Sequence, residues 1–310
     1  MSRLLSAIVV IGIAAGTVLT AIGVLAYWRP ALDIVNNGLS LLTVGCLALL
    51  GLAFADGKRT LIGTAGFLVA VNLALFLSGM SGAAPDARDG SERFLRVATF
   101  NLWGPNDHAG RIEKFLDDAD PDAVVLEEVR QHHRAFLDDL APRYPHRAGD
   151  NGLVILSKYP ILADGRVDRA GFPPWMSLIV RWARLDVNGT QVELAGVHLA
   201  RPFYPELQQA DIVGLTEFVQ GRSGPLILAG DFNMTPWTWK LKGFTRATGL
   251  QRYNTVHPTW PMQWRGVPLL PLVPIDNVFA SAQFSKIATT VGPRLGSDHR
   301  PLIADIARSE

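Results

Sequence analysis

The chain has 310 residues, 48% of them hydrophobic, with a formal net charge of +1. It is too apolar for a disordered chain and too neutral for one whose partners are captured by overall basic charge. The single cysteine, Cys46, excludes an intrachain disulfide, and the length admits one large domain or two smaller pieces.

The apolar excess lies at the N-terminus. No charged residue occurs from Leu4 to Trp28, from Ile34 to Ala55, or from Thr60 to Pro85. Crossing a hydrocarbon layer takes about 20 apolar residues, so three transmembrane helices are expected, over roughly 4–28, 34–55 and 60–80. A cleaved signal peptide is the alternative for the first run. Its apolar part exceeds the roughly 7–15 residues such peptides use, and two further runs follow. Gly12 and Gly16 form a small-xxx-small pattern that admits a neighbouring helix, although glycine tolerance in a span accounts for it equally well. Arg3 precedes the first span and Lys58-Arg59 separate the second from the third, against Arg29 alone in the other connection. With basic residues retained inside, the N-terminus is cytoplasmic and everything after Pro85 is extracytoplasmic: a multi-pass protein of the cell membrane.

Residues 81–92 (SGAAPDARDGSE) are small, polar and rich in Pro and Gly, as a linker is. From 93 to 310 the texture becomes globular. Phe94–Phe100 alternates like a strand; Arg111–Ala119 suits a short helix ended by Pro121; Ala123–Leu126 and Gly152–Leu156 read as buried strands. Ser177–Arg184 and Gln191–His198 flank Asn188-Gly189, a strong hairpin signal. Pro205–Gln220 reads as an amphipathic helix, and Leu226–Ala229, Ile275–Ser281 and Leu302–Ile306 supply later strands. Strands outnumber helices and several are hairpin-linked, so a mixed-sheet α/β sandwich flanked by helices is expected rather than a doubly wound sheet.

Polar residues stand at the ends of these strands. Asn101 follows the first, where Asn is more often a turn residue than a ligand. Glu127-Glu128 follow the second, either solvated or metal-binding. His198 closes another, where a satisfied core histidine is the ordinary explanation. Asp231 and Asn233 flank Phe232 in Gly230-Asp231-Phe232-Asn233 and face one way. Asp276 interrupts an apolar run, which is costly unless the acid is paired or functional. Asp298-His299 complete the set. Carboxylates, an amide and imidazoles on loops after buried strands suit a divalent metal and a phosphate.

In this order, the six blocks around Asn101, Glu127-Glu128, His198, Asp231-Asn233, Asp276 and Ser297-Asp298-His299-Arg300-Pro301 resemble the endonuclease/exonuclease/phosphatase superfamily. That group includes pancreatic deoxyribonuclease, apurinic-site endonucleases, inositol-polyphosphate 5-phosphatases and neutral sphingomyelinases. The resemblance spans about Arg93 to Ile306 and implies a four-layer α-β-β-α sandwich with two central mixed sheets and a site at one sheet end. The membrane spans are similar, more loosely, to those of small membrane-anchored bacterial members. Carried over, the resemblance makes Glu128 the acidic ligand of Mg²⁺ or Mn²⁺, with Glu127 standing where the family commonly has Gln; either carboxylate remains open to the ligand role. Asn101 supports the metal and the scissile phosphate, and Asp298 completes the metal side. Asp231 orients or deprotonates the attacking water, with Asn233 a phosphate-side donor. His299 acts on the nucleophile or phosphoryl oxygens, oriented by Asp276, and His198 stabilises the phosphate or leaving group. The implied activity is metal-dependent hydrolysis of a phosphodiester or phosphate ester.

Substrate is approached through charge and aromatics. Four of the 29 Lys+Arg and two of the 28 Asp+Glu precede Asp86, leaving 25 against 26 in the remainder. A nonspecific nuclease leans on basic surface. Trp260 and Trp264, with Phe172-Pro173-Pro174-Trp175-Met176 and Pro236-Trp237-Thr238-Trp239, give aromatic segments that suit a lipid headgroup at a bilayer surface; they also suit packing inside the sandwich or stacking on bases. The order of expectation is a phospholipid or lipid-linked phosphate, then DNA or RNA, then a soluble ester. A catalytically idle binding module on the same fold is the alternative of another class, opposed by the full polar set. No protein partner is inferable.

Overall fold

The computed structural model describes residues 2–309 except 170, 173–177, 255 and 265. The chain divides into two compact units: residues 1–81 together with 235–243, and residues 82–234 together with 244–310.

In the first unit, helices α1 (Ser2–Leu25), α2 (Leu39–Asp56) and α3 (Arg59–Ser78) are joined by a 3-10 segment, Pro30–Gly38, and a tight turn at Gly57. Three stretches, Arg3–Leu25, Pro30–Asp56 and Arg59–Ser78, are long and apolar enough to cross a membrane. They pack through Val9, Ile13, Ala53 and Ala65, with little apolar surface turned inward and much turned outward, the distribution a lipid environment rewards. Between them, Asn72 Nδ2 donates to Thr20 Oγ1 at 2.8 Å and to the Leu68 carbonyl at 2.9 Å.

The segment 235–243 belongs to this unit, which sequence patterning did not suggest. The buried carboxylate of Asp33 accepts the backbone N–H groups of Trp239 and Lys240, each at 3.0 Å, capping the helix Trp239–Thr248. Asn36 Nδ2 donates to Asp33 at 2.8 Å, and Asn37 Oδ1 accepts the Thr235 N–H at 2.8 Å. The indoles of Trp237 and Trp239 donate to the carbonyls of Phe76 and Gly23. Both tryptophans of Pro236-Trp237-Thr238-Trp239 are therefore engaged with the apolar helices, and Trp237 is fully buried.

The second unit is built on two mixed six-stranded sheets. One has the order β13 (Phe284–Val291), β14 (Leu302–Arg308), β1 (Leu95–Asn101), β2 (Ala123–Val129), β4 (Gly152–Ser157), β3 (His146–Ala148). The other runs β5 (Ile161–Asp168), β6 (Leu178–Val187), β7 (Thr190–His198), β8 (Leu226–Asp231), β12 (Asp276–Ala280), β9 (Gln251–Arg252). A small hairpin, β10 (Gln263–Trp264) with β11 (Val267–Pro268), stands apart. Helices α4 (Ala109–Ala119) and α5 (Arg134–Asp139) cover the first sheet through Ile112, Phe115, Leu116, Phe136 and Leu137; α6 (Pro205–Gln220) buries Ile212, Leu215, Phe218 and Val219. The expected sandwich is present.

Alternation along the strands assigns the faces. Leu95, Val97, Ala123 and Val125 join Val192, Leu194, Ile227, Ala229, Val278 and Ala280 in the core between the sheets, while Ala98, Phe100, Val124 and Leu126 face α4 and α5. That parity positions the site.

Candidate active site

Carried one step further along each strand, the inter-sheet parity reaches Asn101 on β1, Glu127 on β2, His198 on β7, Asp231 on β8 and Asp276 on β12. The apolar core thus gives way at one end to a polar cluster. The register agrees: His198 lies beside Asp231 across β7 and β8, Asp231 opposite Asp276 across β8 and β12, and Asn101 beside Glu127 across β1 and β2. Strand β8 reaches this point through Gly230, where an added Cβ would sit 2.0 Å from the Val197 carbonyl oxygen; no other residue fits beside β7.

Glu127 and Glu128 diverge here. Glu127 keeps the core parity and is fully buried, accepting a hydrogen bond from Thr99 Oγ1 at 2.5 Å. Burial, with Asp276 and Asp231 adding to it, pushes its carboxyl well above the usual range, which favours the protonated form. Glu128 sits where the β2–β4 register slips, with φ of +56°. That bulge re-aims its side chain: Oε2 accepts the Gly104 N–H at 3.0 Å and Oε1 the Asn101 amide at 3.4 Å. Burial opposes its charge, but His198, the Gly104 N–H and Arg201 outweigh burial and hold the carboxyl below its ordinary value. Of the two acids left open by the sequence, Glu128 is the ionised one.

Asn101 turns its nitrogen to the site. Its Oδ1 accepts the Trp103 N–H at 3.0 Å, while Nδ2 reaches Glu128 and, at 3.2 Å, Asp231.

Asp231 accepts the Asn233 N–H at 2.8 Å and its side-chain amide at 3.2 Å, and Asn233 also donates to the Leu199 carbonyl at 2.9 Å. Asn233 occupies left-handed backbone at φ +52°, a conformation Asn tolerates. Burial raises the Asp231 carboxyl to about 7, against the lowering effect of His299. His299 Nδ1 lies 2.9 Å from Asp276 Oδ2, whose other neighbour is the Thr259 hydroxyl, and His299 Nε2 lies 3.7 Å from Asp231. Burial opposes the imidazolium, yet Asp276 and Asp231 prevail and raise it to about 10. His198 Nε2 stands 3.8 Å from Glu128 and 3.9 Å from Asp231; burial lowers its pKa.

The loop holding His299 is pinned by groups to which the sequence analysis gave no role of their own. Ser297 Oγ donates to the Asn101 carbonyl at 2.7 Å and accepts the His299 N–H at 2.9 Å; the Arg300 N–H reaches the Thr259 carbonyl at 3.0 Å. Asp298 accepts the Trp260 indole N–H at 3.3 Å, and burial raises its carboxyl. Trp260 is half-buried on this contact. Trp264 contributes backbone to the hairpin, but its side chain lies outside the described residues, as do 173–176 of the expected aromatic segment Phe172–Met176.

Ligand atoms of Asp231, Asp276 and His299 all lie within 4.8 Å of one another, a buried group able to hold a metal ion. Glu128 adjoins it through Asn101 and His198. Clustered carboxyl oxygens, one of them raised to about 7 by burial and by its acidic neighbours, fit a hard cation by charge and by ligand type.

A model of the Endonuclease/Exonuclease/phosphatase family matches residues 98–299, and nothing matches among curated proteins. An endonuclease/exonuclease/phosphatase from Beutenbergia cavernae is similar in structure, at 24% identity and a TM-score of 0.58, over 70% of this chain and 72% of that one. D. rerio TDP2 complexed with a single-strand DNA product shares 16% identity over 68% of this chain and 98% of its own, with a TM-score of 0.59. The mannosyl-6-phosphatase of Bacteroides thetaiotaomicron shares 18% over 69% and 99%, with a TM-score of 0.54. With its two mixed sheets, its cluster of acids and imidazoles, and a family match spanning most of the globular unit, this chain belongs to the endonuclease/exonuclease/phosphatase family of phosphoesterase-type hydrolases.

Proposed function

We propose that the chain is a divalent-metal-dependent phosphoesterase acting at the membrane surface on a phospholipid or lipid-linked phosphate, with its globular unit outside the cytoplasm. The observation that supports it most is the convergence of ionised Glu128, Asp231 and the Asp276–His299 pair in one chain with three helices apolar enough to span a membrane. Glu128 would hold Mg²⁺ or Mn²⁺, with Asp298 completing that side. The ion supplies polarisation of the phosphoryl oxygen and offsets its developing charge.

The chain's own groups do the rest. Asp231, titrating near neutrality, orients the attacking water and takes its proton as the water oxygen bonds to phosphorus. The ester P–O bond breaks and the leaving oxygen is protonated by solvent. His299, a cation at neutral pH, faces the phosphoryl oxygens with its ring fixed by Asp276. Asn101 and Asn233 offer N–H donors on either side of Asp231.

The second reading is a nuclease, favoured by the DNA bound to the similarly folded D. rerio protein. The test is a panel on the full chain reconstituted in vesicles: lipid phosphates, DNA and RNA, each with Mg²⁺, Mn²⁺ or EDTA. Metal-dependent turnover of a lipid phosphate is expected. Fast cleavage of duplex DNA that falls steeply with salt would replace the lipid reading, and no turnover of any ester would leave a binding module.

A further inference from the structure

Beside the carboxylates lies a cavity of about 400 Å³ that the chemistry above leaves unused. Glu128 and His198 form its inner side and Arg130, Arg201 and Tyr204 its outer side, with leucines such as Leu153 supplying apolar wall. Its arginines differ in state. Arg169, also lining it, is committed to buried Asp211, which in turn accepts the Ala200 N–H at 2.7 Å. Arg201 is mostly exposed and stands 3.7 Å from Glu128. Arg130 is exposed and passes Gly104, where an added Cβ would come 3.0 Å from its Nε; among the described residues no carboxylate pairs with its guanidinium. Two cations thus border the site with one carboxylate between them, and that carboxylate is the one assigned to the metal.

The same rim carries apolar surface. Arg201 opens the sequence Arg201-Pro202-Phe203-Tyr204, in which Phe203 is 74% and Tyr204 62% exposed. Exposed aromatics following a cation are the composition of a segment lying in the headgroup layer of a bilayer, where rings enter the acyl boundary and guanidinium groups meet phosphate.

Building on the phosphoesterase reading, we propose that this cavity is a headgroup subsite for a lipid with two anionic groups: one at the carboxylates, the second held by Arg130 and Arg201, with Phe203 and Tyr204 seated in the bilayer. Arginine suits this role because its planar fork meets a phosphate or carboxylate through paired charge-assisted bonds. The leucine wall takes the carbon skeleton between the two anions.

The test uses the full chain in mixed detergent micelles, with Mg²⁺ in excess over total phosphate. Phosphatidylglycerol is compared with phosphatidylglycerol phosphate of the same acyl chains. The second anion should raise kcat/KM at least tenfold, and the double variant Arg130→Gln, Arg201→Gln should bring that ratio near one, mainly through KM. Arg130→Lys should retain part of the preference, which separates charge from damage to the fold. Phe203→Ser should lower kcat/KM on the micellar lipid severalfold while leaving the rate on a water-soluble phosphate ester unchanged, measured with Arg201→Gln in parallel. Equal turnover of the two lipids, or a preference the double variant keeps, overturns the subsite and leaves the phosphoesterase reading intact. Turnover of oligonucleotides with neither lipid cleaved overturns the membrane substrate as well.

Discussion

Glu127 and Glu128 are adjacent in the chain yet face different environments: Glu127 is sealed against Thr99 between the sheets, and Glu128 is turned by a bulge onto the Gly104 N–H. Glu127→Gln replaces a buried acid whose charge is disfavoured with a near-isostere and should keep activity within severalfold. Glu128→Gln should keep the fold and lose activity by a factor of about 100 or more. Steady-state kinetics with Mg²⁺ and circular dichroism on both variants decide it; the reverse pattern would exchange the two assignments.

The pH profile should be bell-shaped. Asp231, at about 7, must be ionised, so the rate rises as pH passes through that value; His299, at about 10, must be charged, so the rate falls as pH rises through it. Asp276→Asn removes the chief group raising His299 and should move the basic limb downward. The raised His299 also stabilises the fold, fully below its ordinary value of about 6.5 and no longer above about 10. A basic limb that stays in place in Asp276→Asn would separate the two residues.

Gly230→Ala should destabilise the chain by about 3 kcal/mol or more, because the new methyl meets backbone rather than a movable side chain. Thermal unfolding against wild type measures it, and an unchanged Tm would contradict the close approach of β7 and β8.

Asp33→Ala should cost about 2 kcal/mol, since it strips a helix cap and leaves buried N–H groups at Trp239 and Lys240 without their acceptor. Unfolding of the full chain in detergent reports it. Asp33→Asn, keeping one acceptor, should cost less.

A reporter fused after Glu310 should be active only outside the cytoplasm, as Lys58 and Arg59 on the inner side require. Activity confined to the cytoplasm would invert the topology.

Much of this was legible in the chain. Asp231, Asn233, Asp276 and His299 announce themselves as polar residues ending apolar runs, and strand parity places Asn101 and His198 with them. Glu127 and Glu128 were not separable, because a bulge depends on the partner strand β4 and leaves no local mark. Ser297 and Thr259 act through single hydroxyls, which are common in any loop. Arg130 and Arg201 look like ordinary surface cations until the cavity places them together. The strand β5 was missed because it alternates half-buried with exposed residues, including Leu162, and so lacks the apolar run of a central strand.

The grouping of residues 235–243 with the apolar helices bears on how this architecture is inherited and engineered. An anchor that holds only its own sequence can be traded freely between genes. Here the helices carry acceptors and caps for a stretch encoded some 160 residues downstream of the last one, as the bond from Trp237 to Phe76 records. Chimeras must therefore exchange the two segments as a pair, and a fragment cut at the linker would leave Trp237 and Trp239 without their acceptors, a recipe for insolubility rather than for a free catalytic domain.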